Sequence, residues 1–342
     1  MDEKRIRFKK LFPNKFFASN ESSGDLVSMT AYLQSIDFLN SGEEVISTEI
    51  PGAGNMNYVI RVKTDSRTFI LKQSRPWVEK YPSIDAPIER IEIEAEYYRR
   101  LNGKPELEGH SPEIYKVDLD NFVILMEDLG NVEDYTNLYA SGSVIDDKDV
   151  QLLAQYLKAL HTIESHTYPA NLEMRKLNHE HIFNYPFVSD NGFNLDDVQD
   201  GLSKLSINEK TDQELVKIIR ADGERYLAKT GGALLHGDFY PGSWMKSNKL
   251  YIIDAEFSFA GPVEFDLGVY IAHMKMTEQS EDKIDLFLSV YGNDNHFDSK
   301  LTYRFAGIEI LRRFLGVAQL PVSHSVEHKA ELIALAKEWI LK

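Results

Sequence analysis

The sequence predicts an α+β protein with a bilobal plan: a small N-terminal lobe built on a β-sheet with one key helix, and a larger, mostly helical C-terminal lobe. Three observations carry this. Strand-like runs crowd the chain up to residue 126, whereas apolar residues recur at helical spacing through most of the remaining residues. The length of 342 residues corresponds to about two domains at roughly 150 residues each. Hydrophobic residues at 43% and charged residues at 27% are ordinary for globular chains, so a core can form without staples.

Residues 1–40 read as a helical leader, in which Leu26, Met29, Leu33 and Ile36 recur three or four apart. Strands follow at 44–50, 58–63 and 68–72. The first two are joined by Pro51-Gly52-Ala53-Gly54-Asn55, a turn rich in residues that tolerate positive φ. A helix at 86–101 and strands at 113–117 and 122–126 complete the first lobe, 1–126. Residues 127–130, Glu127-Asp128-Leu129-Gly130, form a connector, and 131–342 make up the second lobe. There Val150, Leu153, Ala154, Leu157, Leu160 and His161 share one helical face. Further helices are expected at 209–229, 281–291, 301–316 and from 327 onward, with 233–259 as two short strands joined by a loop.

Against 38 basic side chains stand 54 acidic ones, a formal charge of −16, which argues against nucleic acid as a partner. With no cysteine, disulfides, thiolate metal sites and a cysteine nucleophile are excluded. The opening MDEKRIRFKKLFPNKFF lacks the apolar core of a signal peptide. No stretch approaches the roughly 18 apolar residues of a membrane span, so a cytoplasmic protein with no membrane partner is expected. The basic, phenylalanine-rich start reads as packing its rings on the fold, with a membrane-surface segment as the alternative.

Chemistry concentrates in His236-Gly237-Asp238-Phe239-Tyr240-Pro241-Gly242-Ser243 and in Ile252-Ile253-Asp254-Ala255-Glu256. Asp254 and Glu256 end an apolar run at i, i+2, and on an extended strand both carboxylates would point to one side. Two such groups repel unless a cation joins them, and oxygen ligands with a phosphate-bearing substrate favour Mg²⁺. Asp238 suits accepting a proton from an attacking hydroxyl, or orienting it. Read singly, either segment is equally a turn-capping loop. On the helix at 86–101, Glu94 falls inside the apolar arc of Ile88, Ile91, Ala95, Tyr97, Tyr98 and Leu101, and a carboxylate there wants a partner.

These motifs, with Gly52-Ala53-Gly54-Asn55-Met56-Asn57-Tyr58, Ile70-Leu71-Lys72-Gln73, Phe265-Asp266-Leu267-Gly268 and Glu309-Ile310-Leu311-Arg312-Arg313, resemble the aminoglycoside phosphotransferase and choline kinase superfamily, and within it the methylthioribose kinases. The resemblance implies a protein-kinase-like fold and an ATP- and Mg²⁺-dependent kinase acting on a small-molecule hydroxyl, such as that of methylthioribose. Choline or an aminoglycoside is the alternative acceptor, and a silent nucleotide-binding module the least favoured reading. It further implies Gly52, Gly54, Asn55 and Asn57 in a flap over the ATP phosphates, Lys72 on the α- and β-phosphates paired with Glu94, and Glu127 to Leu129 as an adenine-reading hinge. Asp238 would be the catalytic residue, and Asp254, Glu256 and Ser243 the metal ligands. His236 and Asp266 would brace the catalytic loop, and Arg312 and Arg313 would contact the sugar. Surface ion pairing is the plain alternative for the two arginines, and homodimer formation is compatible with the resemblance. Departures are Phe239-Tyr240-Pro241 in place of Leu-His-Thr, Glu264 at a usual glycine, and only a loose echo of a tryptophan loop in Pro76-Trp77.

Overall fold

The computed structural model describes residues 3–52, 54, 56–228, 232–292 and 297–342. The chain divides into two units, one of Met1–Arg99 with Ser111–Asn131, the other of Arg100–His110 with Val132–Lys342. No helix among the described residues is long and apolar enough to cross a membrane.

The first unit runs α1 (Glu3–Leu11), α2 (Ser23–Ser35), β1 (Val45–Glu49), β2 (Tyr58–Thr64), β3 (Thr68–Gln73), β4 (Trp77–Val78), β5 (Tyr81–Asp85), α3 (Arg90–Leu101), β6 (Ile114–Asp118) and β7 (Val123–Met126). Five strands form an antiparallel sheet in the order β1-β2-β3-β7-β6, while β4 and β5 pair as a separate ribbon. Side chains alternate across a strand, and β3 uses both faces. Phe69 and Leu71 join Met29 and Leu33 of α2 in one core, whereas Ile70 packs with Ile91 and Ala95 of α3. Phe8 and Phe17 of the basic leader are buried against Trp77 and Ile88, so the leader packs on the fold. Helix α3 starts at Arg90 rather than 86, because Ala86 precedes Pro87, whose ring disfavours helical backbone at the residue before it.

The second unit contains β8 (Glu133–Asp134), α4 (Asp147–Leu160), α5 (Leu172–His179), which continues as a π-helical turn at Glu180–Asn184, then α6 (Leu202–Thr211) and α7 (Gln213–Leu227). Strands β9 (Ala233–Leu235), β10 (Trp244–Lys246), β11 (Leu250–Ile252) and β12 (Phe259–Gly261) precede α8 (Glu264–Met276), α9 (Glu281–Tyr291), α10 (Ser299–Leu315) and α11 (Val326–Leu341). The helix expected at 209–229 is broken at Asp212, whose carboxylate caps α7 by accepting from the Glu214 and Leu215 N–H groups. The two strands expected over 233–259 are four: β9 pairs with β12, and β10 with β11 and β8.

Helix α8 had no counterpart among the expected elements. It is buried almost all round, from Phe265 to Met274 without interruption, and such a helix shows no amphipathic period. It packs on α10 through Gly268, where a Cβ would stand 2.8 Å from the Thr302 carbonyl oxygen.

Candidate functional site

In the first unit, Lys72 pairs across the sheet with Val59 and Ile124. Its ammonium lies 2.8 Å from Glu94 Oε1 and 2.7 Å from Oε2, with both side chains under 5% exposed. Charges this deep persist only when matched so closely. Tyr98 Oη donates to Glu94 Oε1 at 3.4 Å.

Gly52 and Gly54 are exposed, and neither uses the positive φ open to glycine. The Gly54 N–H donates to the Gly52 carbonyl at 3.0 Å. Asn55 lies outside the described residues. Asn57 is buried, and its Oδ1 accepts from Arg90 Nε at 2.8 Å and Ser74 Oγ at 3.2 Å. Arg90, fully buried, also donates to the carbonyls of Met56 and Arg75 at 2.8 Å and of Pro87 at 2.7 Å. It anchors the β1–β2 turn from below, a role invisible to periodicity because its partners are backbone groups.

At 127–130, the Glu127 N–H donates to the Glu113 carbonyl at 2.8 Å, and Glu127 Oε2 accepts from the Glu113 N–H at 3.1 Å. Leu129 is half-buried. Arg61 clamps both sides of it, donating to Asp128 Oδ2 and the Gly130 carbonyl at 2.8 Å each.

In the second unit, β9 leads into the His236–Ser243 loop. Asp266, fully buried in the first turn of α8, accepts from the His236 N–H at 2.7 Å and the Gly237 N–H at 2.9 Å. Gly237 takes φ +83°, and a Cβ there would stand 2.2 Å from the Phe257 carbonyl oxygen, so only glycine fits. His236 Nε2 lies 2.9 Å from the Ile253 carbonyl. A carbonyl only accepts, so Nε2 carries the proton and Nδ1 accepts from the Asp238 N–H at 3.4 Å. Burial pushes this imidazole below its ordinary pKa. It is a neutral brace linking the loop to the chain beyond β11. Ser243, also buried, donates from Oγ to the Asp238 carbonyl at 2.9 Å.

The Asp238 carboxylate lies 3.7 Å from Arg313 Nη2. Burial raises its pKa, while Arg313 and then Arg312 pull the other way. Both arginines are buried on α10, not displayed on the surface, and they share Glu309: Arg313 Nε is 2.7 Å from Oε1, Arg312 Nε 3.3 Å from Oε2. Burial alone would raise the Glu309 carboxyl, but the two guanidiniums hold it well below the carboxylate range.

His273 Nε2 lies 3.2 Å from Glu309 Oε1, and its Nδ1 2.7 Å from Tyr139 Oη. Burial pushes His273 down to about 4, so the neutral ring donates from Nε2 and accepts the tyrosine hydroxyl at Nδ1. The Arg313 guanidinium stands 5.0 Å from the centre of the Tyr240 ring. Sequence reasoning gave no role to Glu309, His273, Tyr139 and Tyr240, which the structure gathers into one cluster with Arg313. For Glu309 there was a signal, an acid three and four residues before paired arginines on an apolar helix.

Asp254 and Glu256 do not occupy an extended strand. β11 ends at Ile252, Asp254 takes φ +63°, and Ala255–Phe257 form a 3₁₀ turn. The alternation expected to aim both carboxylates one way therefore does not operate; Asp254 is exposed and Glu256 buried. Asn171 Nδ2 steadies the turn by donating to the Glu256 carbonyl at 2.9 Å and the Ser258 carbonyl at 3.0 Å. Asp254, Glu256 and Ser243 offer only hard oxygen donors, a set that fits Mg²⁺.

The departures also find places. Phe239 is buried against His236 and Trp244. Glu264 Oε1 accepts from the N–H of Asp298, the residue capping α10, at 2.8 Å.

Residues 47–298 match the phosphotransferase enzyme family. The methylthioribose kinase of Geobacillus kaustophilus (strain HTA426) is 25% identical over 349 residues, covering 85% of this chain and 84% of the relative. That of Escherichia coli O45:K1 (strain S88 / ExPEC) is 28% identical over 248 residues, 65% of this chain and 56% of the relative. Among solved structures, an ethanolamine kinase of Plasmodium vivax superposes with a TM-score of 0.55 at 16% identity, covering 98% of this chain and 94% of that one. A spectinomycin phosphotransferase in complex with ADP and spectinomycin gives 0.51 at 13% identity, covering 90% and 96%. At these identities the structural likeness speaks for the fold alone: α+β and protein-kinase-like, as the sequence led one to expect.

Proposed function

The chain belongs to the phosphotransferase enzyme family and is a small-molecule kinase, and from that premise we propose that it transfers the γ-phosphoryl group of ATP to a sugar hydroxyl, that of methylthioribose giving the 1-phosphate. Asp238 accepts the proton of the acceptor hydroxyl, or orients it, as the hydroxyl oxygen bonds to phosphorus and ADP leaves. Asp266, His236 and Gly237 hold that carboxylate in place. Arg313, with Arg312, stabilises negative charge on the phosphoryl oxygens and binds vicinal hydroxyls of the acceptor. Lys72, fixed by Glu94, holds the α- and β-phosphates; the 52–57 turn covers them, and the backbone of Glu127 to Leu129 reads the adenine. Asp254 and Glu256, aided by Ser243, would hold Mg²⁺, which neutralises charge developing during transfer.

The observation that carries the sugar reading is Arg313 beside Asp238. The guanidiniums next to the proposed base offer forked donors that suit the vicinal hydroxyls of a polyhydroxyl acceptor, whereas a cationic head group has no lone pair to give them. ADP release measured with ATP, Mg²⁺ and a panel of methylthioribose, ribose, choline, ethanolamine and spectinomycin tests this. Saturable turnover of methylthioribose, well above that of the amines, is expected. Turnover confined to the amines overturns the acceptor. Nucleotide binding with no turnover on any member overturns the kinase mechanism in favour of a silent binder.

A further inference from the structure

Where α8 ends and α11 begins, three side chains converge that phosphoryl transfer does not use: Glu278, His324 and His328. One ligand atom of each lies within 4.8 Å of those of the other two. Glu278 Oε1 is 3.4 Å from His328 Nε2, about the separation of two ligands each roughly 2.0–2.1 Å from a tetrahedral ion. His328 Nε2 is nevertheless buried and makes no hydrogen bond.

The other ring nitrogens are already engaged. His324 Nε2 lies 2.7 Å from the Met276 carbonyl, which only accepts, so the proton sits on Nε2 and the lone pair on Nδ1. His328 Nδ1 lies 3.2 Å from Glu331 Oε2, again an acceptor, which leaves the lone pair on Nε2. Each imidazole is thus held by an outer acceptor in the tautomer that leaves one nitrogen free to ligate, as histidines at metal sites are.

The backbone around the cluster is pinned. Ser325 caps α11 by accepting from the His328 N–H at 3.2 Å. Glu278 takes φ +55° just past α8, donating from its N–H to the Lys275 carbonyl at 3.0 Å. The buried Gln279 beside it donates from its side chain to the Ser143 carbonyl at 2.8 Å. The C-terminal end of α8 adds partial negative charge.

We propose that Glu278, His324 and His328 bind a divalent transition metal of the zinc type, with a fourth position left to water, tying the end of α8 to the start of α11. Two imidazoles and one carboxylate select such an ion over Mg²⁺, which separates this site from Asp254, Glu256 and Ser243.

The test uses the full chain, stripped by a chelator and titrated with Zn²⁺ in excess Mg²⁺, read by competition with a chromophoric chelator and by thermal unfolding. One Zn²⁺ per chain and a Tm that rises with Zn²⁺ are expected. Glu278→Gln and His328→Ala should each weaken binding by at least about tenfold and abolish the Tm rise, while Asp254→Asn leaves both intact. Glu278→Gln keeps the side-chain size, so it remains readable if His328→Ala fails to fold. Equal Zn²⁺ affinity in the wild type and Glu278→Gln overturns the site, as does loss of binding in Asp254→Asn alone.

Discussion

Lys72 and Arg313 are both buried cations, and the chain neutralises them in different ways. Lys72 on β3 meets Glu94 on α3, a partner from another element, at 2.7 Å. Arg312 and Arg313 share a single carboxylate, Glu309, from their own helix. The first cluster joins two elements through one ammonium and one carboxylate. The second carries surplus positive charge, and it reaches Asp238 at 3.7 Å. A buried ion pair fixes a side chain at a point, whereas a surplus is tolerable only beside something negative. In the second unit that partner is Asp238, and under the proposed mechanism an incoming phosphoryl group as well.

The sharpest way to break this contrast is Asp238→Asn. If Asp238 is the proposed base, kcat should fall by about 10²–10⁴-fold, with KM for ATP little changed. Near-normal kcat would remove Asp238 from the reaction.

Stability measurements in urea sharpen the comparison further. Glu309→Leu leaves two buried guanidiniums with the Asp238 carboxylate beside Arg313 and should cost about 3–5 kcal/mol. Lys72→Met takes the ammonium from the buried Glu94 carboxylate, which keeps the Tyr98 hydroxyl, and should cost toward the lower end of about the same 3–5 kcal/mol. Adding Glu94→Leu to Lys72→Met should recover part of the loss, since an apolar pair can replace a buried ion pair. If Glu309→Leu costs under about 1 kcal/mol, Glu309 is not what holds the arginines inside.

The two regions also differ in how much of them the sequence revealed. Strand-like runs placed the sheet, and one acid on an apolar helical arc showed that Glu94 wants a partner, while the resemblance named Lys72 as that partner. The resemblance also named Asp266 as a brace, and its carboxylate accepts from the His236 and Gly237 N–H groups. The extended geometry expected at Asp254 and Glu256 does not form, because left-handed backbone at Asp254 breaks the alternation it needs. Helix α8 was missed because burial all round erases its period. The Tyr139–His273 contact joins residues 134 apart, and Arg90 works on carbonyls. Neither long-range pairing nor backbone partners leave a pattern in a single chain.

The smallest effect tests the surplus charge itself. A base must be ionised to work, so activity falls as pH drops through the pKa of Asp238. Burial sets that pKa above the ordinary value, and Arg313 is first among the charges that oppose the rise, with Arg312 next. Removing Arg313 takes away a stabiliser of the carboxylate, so the pKa rises further. The acid limb of kcat/KM should therefore move to higher pH in Arg313→Gln, by about half a unit to one unit, each unit being worth about 1.4 kcal/mol. Arg312→Gln should move it less, in the same direction. A pH titration of kcat/KM on both variants separates two uses of the cluster. If the limb shifts, the positive charge acts on the base; if it stays while KM for the acceptor rises, the arginines serve the substrate and Asp238 is tuned by burial alone.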